Sequence, residues 1–136
     1  MSMNAMATDQ SYNLSLRLLK PITITKVQDL SFPDRTITGS AFNVVVATGN
    51  SGAAIFTAQG SKYRSITKSV VESTINMSAP GVVGTIAVDT FSFTGTTSFD
   101  GSGNATGLKV GATAHILASS QDGNYSGSAT YRVVYN

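Results

Sequence analysis

The chain has 136 residues, which suits one domain with a core of its own, and it carries no cysteine, so disulfides, thiolate metal sites and thiol nucleophiles are excluded. Charged residues make up 12% of the chain, about half the usual fraction, while Ser and Thr together make up 35 of the 136 residues. The net charge of +2 comes from nine scattered Lys and Arg residues, which gives no concentrated basic face for nucleic acid.

At the N-terminus, "MSMNAMATDQ" contains Ala5-Met6-Ala7, the small-x-small pattern that precedes a secretory cleavage point. Residues 1–7 therefore read as a signal-peptide remnant, since a basic n-region and an apolar h-region are lacking, and cleavage there would start the mature chain at Thr8. A leader without a targeting role is the other reading. No run approaches the roughly 18 apolar residues of a membrane helix, so no membrane insertion is expected.

Period two then takes over. Tyr12, Leu14, Leu16 and Leu18 alternate with Asn13, Ser15 and Arg17, and after a break around Leu19, Lys20 and Pro21 the alternation resumes at Ile22-Thr23-Ile24-Thr25. The pattern predicts one strand or two in line, with Pro21 at an edge or a joint because it has no N–H to donate. A turn at Pro33-Asp34, a β-branched strand from Phe42 to Thr48 and a turn at 49–52 follow. Further strands are predicted in "AAIFTAQG", "KYRSIT", "VVESTINMS", "TIAVDTFSFTG" and "GLKVGATAHILAS", with residues 94–107 as a long hairpin loop. The last strand has Tyr131, Val133 and Tyr135 on one face and Arg132 and Val134 on the other. No stretch shows a 3.6-residue period over three turns. Many short strands between Gly, Asn, Asp and Ser turns predict an all-β, Ig-like Greek-key sandwich, with a closed barrel as the alternative.

Residues suited to chemistry are sparse. Asp29, Asp34, Asp100 and Asp122 sit beside turn residues, where Asp caps its own backbone. The single histidine, His115, lies in the apolar "ATAHILA" and reads as a packed or rim residue. "DGSGN" at 100–104 spaces oxygen ligands as a calcium loop does, but no acid follows to close an EF-hand, so a Gly-rich turn is the expectation. Gly101, Gly103 and Gly107 make no dinucleotide fingerprint, because no helix follows them. Sequons at Asn13, Asn76, Asn104 and Asn124 are near chance in so Ser/Thr-rich a chain. With no paired carboxylates and no partnered histidine evident, the expectation is a non-enzyme that needs no cofactor and no metal.

"KPITITKVQDLSF", the paired glycines of "GLKVGATAHI" and the terminal "QDGNYSGSATYRVVYN" resemble the bacterial secreted β-sandwich domains grouped as DUF4402, which look related to fimbrial subunits. The resemblance covers about residues 14–136. The C-terminus is also similar to pilins of the chaperone-usher route, which end in alternating apolar residues with a penultimate aromatic and a glycine fourteenth from the end. Tyr135 and Gly123 stand at those positions, and Tyr131, Val133 and Tyr135 form the row.

Such a resemblance implies a secreted filament or biofilm-fibre subunit at the bacterial cell surface, handled by a periplasmic chaperone and usher. Its sandwich would lack one strand, which the N-terminal strand of the next copy supplies. Residues 8–18 would then be the donor strand, with Tyr12, Leu14, Leu16 and Leu18 as its row, and 19–136 the sandwich, its groove edged by Gly123 and the terminal strand. The partner is the chain itself, head to tail. The chain lacks the cysteine pair of many classical pilins. Two alternatives stand beside this expectation. Tyr12–Ile24 pairs inside its own sandwich, or the chain is a monomeric module for surface glycans, with Tyr63 and Tyr125 as platforms in the absence of Trp.

Overall fold

A computed structural model describes residues 6–136. The signal-remnant reading falls mostly on residues 1–5, outside the described residues. The fold is an all-β sandwich of eight strands: β1 Thr23–Gln28, β2 Phe42–Val46, β3 Ala54–Gln59, β4 Ile66–Val70, β5 Ile75–Met77, β6 Ile86–Thr94, β7 Asn104–Ile116 and β8 Tyr131–Tyr135. All pairings are antiparallel. The larger sheet runs β1-β3-β7-β6-β5, and β2 joins it on the same side of β7 as β3, beyond the end of β3. The smaller sheet is β4-β8. Residues 97–99 extend it along the outer edge of β4, where the Ile66 N–H donates to the Thr97 carbonyl and the Phe99 N–H to the Arg64 carbonyl, both at 2.9 Å.

β7 is the spine, because it is long enough to carry β3 on one half and β2 on the other while β6 pairs with it on the far side. Strand parity changes along it by bulges rather than by turns. In β6 the buried residues are Ile86 and Val88, then an extra residue at Thr90, with φ of 54°, shifts the register and brings Phe91 and Phe93 inward. One inserted residue transfers the remainder of a strand to the other face. β7 makes the same adjustment at Gly107, with φ of 66°, so that Ala105 and Leu108 are both buried although their spacing is odd.

The core divides along β7. Near its start, Ala58, Ile66, Phe99, Ala105, Leu108 and Val133 close up, with Ile22, Phe56, Tyr131 and Tyr135 packed against them. Near its end, Val44, Ile86, Val88, Ala112 and Ala114 form a second cluster, flanked by Leu30, Phe32, Phe42, Ile75, Met77 and Tyr125. The smaller sheet covers the first cluster. Irregular chain at 29–41 and 117–130 faces the second.

Several sequence expectations need correction. No strand spans Tyr12–Ile24: the chain is irregular up to Ile22 and β1 starts at Thr23. An alternating row has strand structure only when a neighbour pairs its N–H and C=O groups, and this row has no such neighbour among the described residues. Lys62-Tyr63-Arg64 is a turn, with Tyr63 at φ of 60°, so "KYRSIT" becomes a strand only at Ile66. "VVESTINMS" is broken in two: Val70 ends β4 and Ile75–Met77 is β5, and between them Glu72 accepts from the Thr130 N–H and hydroxyl. The 94–107 loop is shorter than expected, since Asn104–Gly107 already pairs in β7.

Candidate functional site

Residues 6–20 are all exposed. Tyr12, Leu14, Leu16 and Leu18 keep 79%, 82%, 83% and 82% of their surface in solvent. Four large apolar side chains at alternate positions, all out in water, are a contiguous apolar feature of the kind that marks an interaction segment. Within this arm the anchored residue is Lys20. Its N–H donates to Ser61 Oγ at 2.7 Å and its carbonyl accepts from the Tyr135 hydroxyl at 2.6 Å. Tyr135 in turn accepts from the Ser61 N–H at 2.8 Å.

Over the second core cluster lies a groove of about 1370 Å³. Its floor carries Val110, Ala112, Ala114 and Ile116 of β7, the four inward residues of that half of the strand, with Val44, Ile86 and Val88 beside them. One wall is the segment from Ser31 to Ile37, held where the Ser31 N–H donates to the Gly52 carbonyl at 2.8 Å and where Arg35 lies 5.0 Å above the Phe42 ring. The other wall is Gly123–Tyr131, pinned to the end of β5 by reciprocal bonds between Ser126 and Ser78 at 2.9 and 3.0 Å. Gly123 sits where a Cβ would come 3.1 Å from the Ala79 Cβ, so its lack of a side chain lets this wall approach the turn after β5.

The wall continues as β8, and its hydrogen-bonding parity can be followed. The Val71 N–H donates to the Thr130 carbonyl and the Asn136 N–H to the Ser65 carbonyl, which assigns the even-numbered backbone groups of β8 to β4. In an antiparallel ladder the intervening residues then turn their N–H and C=O groups to the other edge. Tyr131 and Val133 thus present free backbone groups on the side away from β4, while their side chains pack inward. The smaller sheet has an unpaired edge, and that edge leads into the groove.

Each sequence-predicted residue therefore has a place. Tyr131 lines the groove, stacked on Phe56 with ring centroids 4.3 Å apart. Its hydroxyl is buried without a hydrogen-bond partner, and burial pushes its pKa up to about 12. Val133 is in the closed core, and the Tyr135 side chain lies beside Phe99, outside the groove lining. The four arm residues are brought to none of these. Sequence reading missed the Ser31–Ile37 wall and the small floor residues Ala112 and Ala114, whose only signal was alanine at alternate positions between Val110 and Ile116.

The remaining candidates are accounted for by local bonding. Asp100 Oδ1 accepts from the Ser102 and Asn104 N–H groups at 2.8 and 2.9 Å, so it caps its own turn, and these bonds hold its carboxyl below the ordinary range. His115 has partners that sequence did not reveal: Nε2 lies 2.6 Å from Asp89 Oδ1 and Nδ1 lies 2.9 Å from Asn43 Oδ1, across three neighbouring strands on the outer face of the sheet. The His115 bond, then that of Thr90, lowers the Asp89 pKa. The Thr90 hydroxyl donates to the same Asp89 Oδ1 at 3.0 Å. Tyr63 is exposed over Gly101, whereas Tyr125 packs on the second cluster with its hydroxyl on the Gln121 carbonyl. Among the described residues no group of three or more His, Cys, Asp or Glu could hold a metal ion.

No curated protein and no solved structure matches the chain. Residues 22–135 match the domain of unknown function DUF4402, and the matched stretch begins just after the exposed arm. From Ile22 to Tyr135 the chain thus belongs to the DUF4402 family.

Proposed function

We propose that this protein is a structural subunit of an extracellular bacterial filament, in which the arm of one copy lies in the groove of the next. The observation that carries this reading is the pairing of two unfinished features: an exposed apolar row with no ladder, and a groove with an apolar floor beside a strand edge with free backbone groups. Strand addition satisfies both at once, since the backbone bonds give affinity and alternate side chains fill the floor.

The dimensions agree. From Tyr12 to Leu18 an extended chain spans about 20 Å, and so does β7 from Val110 to Ile116, each with four inward positions at alternate residues. Size is complementary as well, since Ala112 and Ala114 in the floor leave room that leucines take up. Burying three leucines and part of a tyrosine contributes on the order of 6 to 10 kcal/mol before ordering costs.

Length also favours donation over self-closure. Lys20 is fixed beside Ser61, next to Gly60, whose N–H donates to the Gly103 carbonyl at the start of β7. From that level to Val110 is about 23 Å along the strand, and an extended chain from Lys20 reaches about 20 Å at Leu14 and 26 Å at Tyr12. Only the end of the row reaches the groove of its own subunit. A second copy can deliver the whole row, and because donor and acceptor are different surfaces the contact repeats head to tail rather than closing a dimer.

The test is negative-stain electron microscopy of the natively secreted protein beside a variant carrying Leu14→Asp and Leu16→Asp. Filaments in the wild type that disappear in the still-folded variant are expected. Wild-type monomers at every concentration, even when taken from the cell surface, would overturn the proposal.

A further inference from the structure

Resting on that reading, we infer that the Tyr135 hydroxyl is a positioning group for the arm: with Ser61 it clasps Lys20 so that the donor row leaves its own subunit in one direction and is held away from its own strand edge.

The clasp is a closed circuit of three hydrogen bonds, from Lys20 N–H to Ser61 Oγ, from Ser61 N–H to Tyr135 Oη and from Tyr135 Oη to the Lys20 carbonyl, at 2.7, 2.8 and 2.6 Å. It occupies both backbone groups of the residue at which the arm begins. The next residue, Pro21, has a fixed φ and restricts Lys20 to extended backbone. Covalent and non-covalent restraints therefore meet at one residue, and N-terminal to Leu19 no hydrogen bond holds the described arm.

The site is built around the tyrosine. Its ring packs edge-on against Phe99 with centroids 5.9 Å apart. A Cβ at Gly60 would meet Phe99 ring atoms at 2.5 and 2.6 Å and the Tyr135 hydroxyl at 2.7 Å, so the space that a side chain at 60 would fill is taken by the Phe99 ring and the phenol together. Since Tyr135 also ends the strand whose free edge leads to the groove, a loose root would let the arm turn along β8 of its own subunit. A directed root reduces the conformational freedom lost when the arm docks on a neighbour, which is how preorganisation raises affinity without a new contact.

Tyr135→Phe removes one oxygen and keeps the ring on Phe99, and Ser61→Ala opens the circuit from its other side. Both variants are expected to stay folded, to speed exchange of the Lys20 amide about three- to tenfold, and to raise the concentration at which filaments form by a similar factor, as one net hydrogen bond implies. In the Leu14→Asp/Leu16→Asp background, which cannot donate, a synthetic peptide of residues 8–20 should bind equally well with and without Tyr135→Phe, because the groove is untouched. Unchanged filament formation in both variants overturns the inference, and so does a loss of peptide affinity, which would place Tyr135 in the acceptor instead. A wild type that forms no filaments sinks the subunit reading itself, and the inference with it.

Discussion

The two ends of β7 are covered in different ways. At the start, the β4-β8 sheet and the 97–99 segment close over Ala105 and Leu108, and Phe99 retains 1% of its surface. At the end, the same kind of inward-facing apolar floor meets only irregular chain, and Phe42, Ile75, Met77, Phe91, Ile116 and Tyr125 stay half-buried around the groove. One strand thus serves a finished core and an unfinished one. The difference is a matter of backbone: the closed end has its second layer of paired strands, and among the described residues the open end has walls but no strand between them.

The largest test of that contrast is truncation in the two clusters. Phe99→Ala should cost about 3–5 kcal/mol, as for a fully buried aromatic that leaves a cavity. Phe42→Ala, at the half-buried rim of the groove, should cost less than half of that. Urea denaturation measures both, and equal losses would show that the open end is as well packed as the closed one.

Filling the groove should narrow the difference. The peptide of residues 8–20 added to the Leu14→Asp/Leu16→Asp subunit is expected to raise its melting temperature, with about 2.7 kcal/mol gained at a free concentration a hundredfold above Kd. A peptide with Leu14 and Leu16 replaced by Asp should leave the melting temperature where it was. A rise with both peptides would mean that the alternating row is not what the groove recognises.

Smaller effects come from the exposed carboxylates at each end. The Asn104 and Ser102 amides lower the pKa of Asp100 near the closed end, the His115 bond lowers that of Asp89 near the open end, and the Thr130 amide lowers that of Glu72 beside β8. A lowered folded pKa gives stability that is present above the unfolded values of 3.8 for Asp and 4.5 for Glu, and that is lost as pH falls through the folded ones. Melting temperatures should therefore drop from pH 5 toward pH 2, and Asp100→Asn should flatten part of that decline. In Asp89→Asn the flattening should come with looser β2 and β6, read as faster amide exchange at Asn43 and Ala87. An acid limb unchanged by either substitution would show that these bonds do not differ between the folded and unfolded chains.

Much of the fold was legible because strand signals are local. Short strand-like runs located β3, β6, β7 and β8, and turns of Gly, Asn, Asp and Ser separated them, since side chains alternate faces whatever lies across the sheet. The Asp100 turn was legible for the same reason, as the carboxylate bonds only to its own loop. Parity shifts at Thr90 and Gly107 were not, because a bulge is set by which partner each half of a strand must face. The His115 partners were equally hidden, since Asn43 and Asp89 come from strands far apart in sequence and meet it only through register.

By itself the sequence determined that the chain is all-β, that it has a row of apolar residues at Tyr12, Leu14, Leu16 and Leu18, and that Tyr131, Val133 and Tyr135 share one strand face, because each is a property of spacing along the chain. Only the tertiary structure decided that the row has no partner among the described residues, that the second layer stops halfway along β7, and that Tyr135 reaches back to Lys20. Those are facts about which backbone edges meet. Phe42 pairs with Ile116 across the sheet, and the Tyr135 hydroxyl bonds to a carbonyl 115 positions away, so no local pattern records either contact.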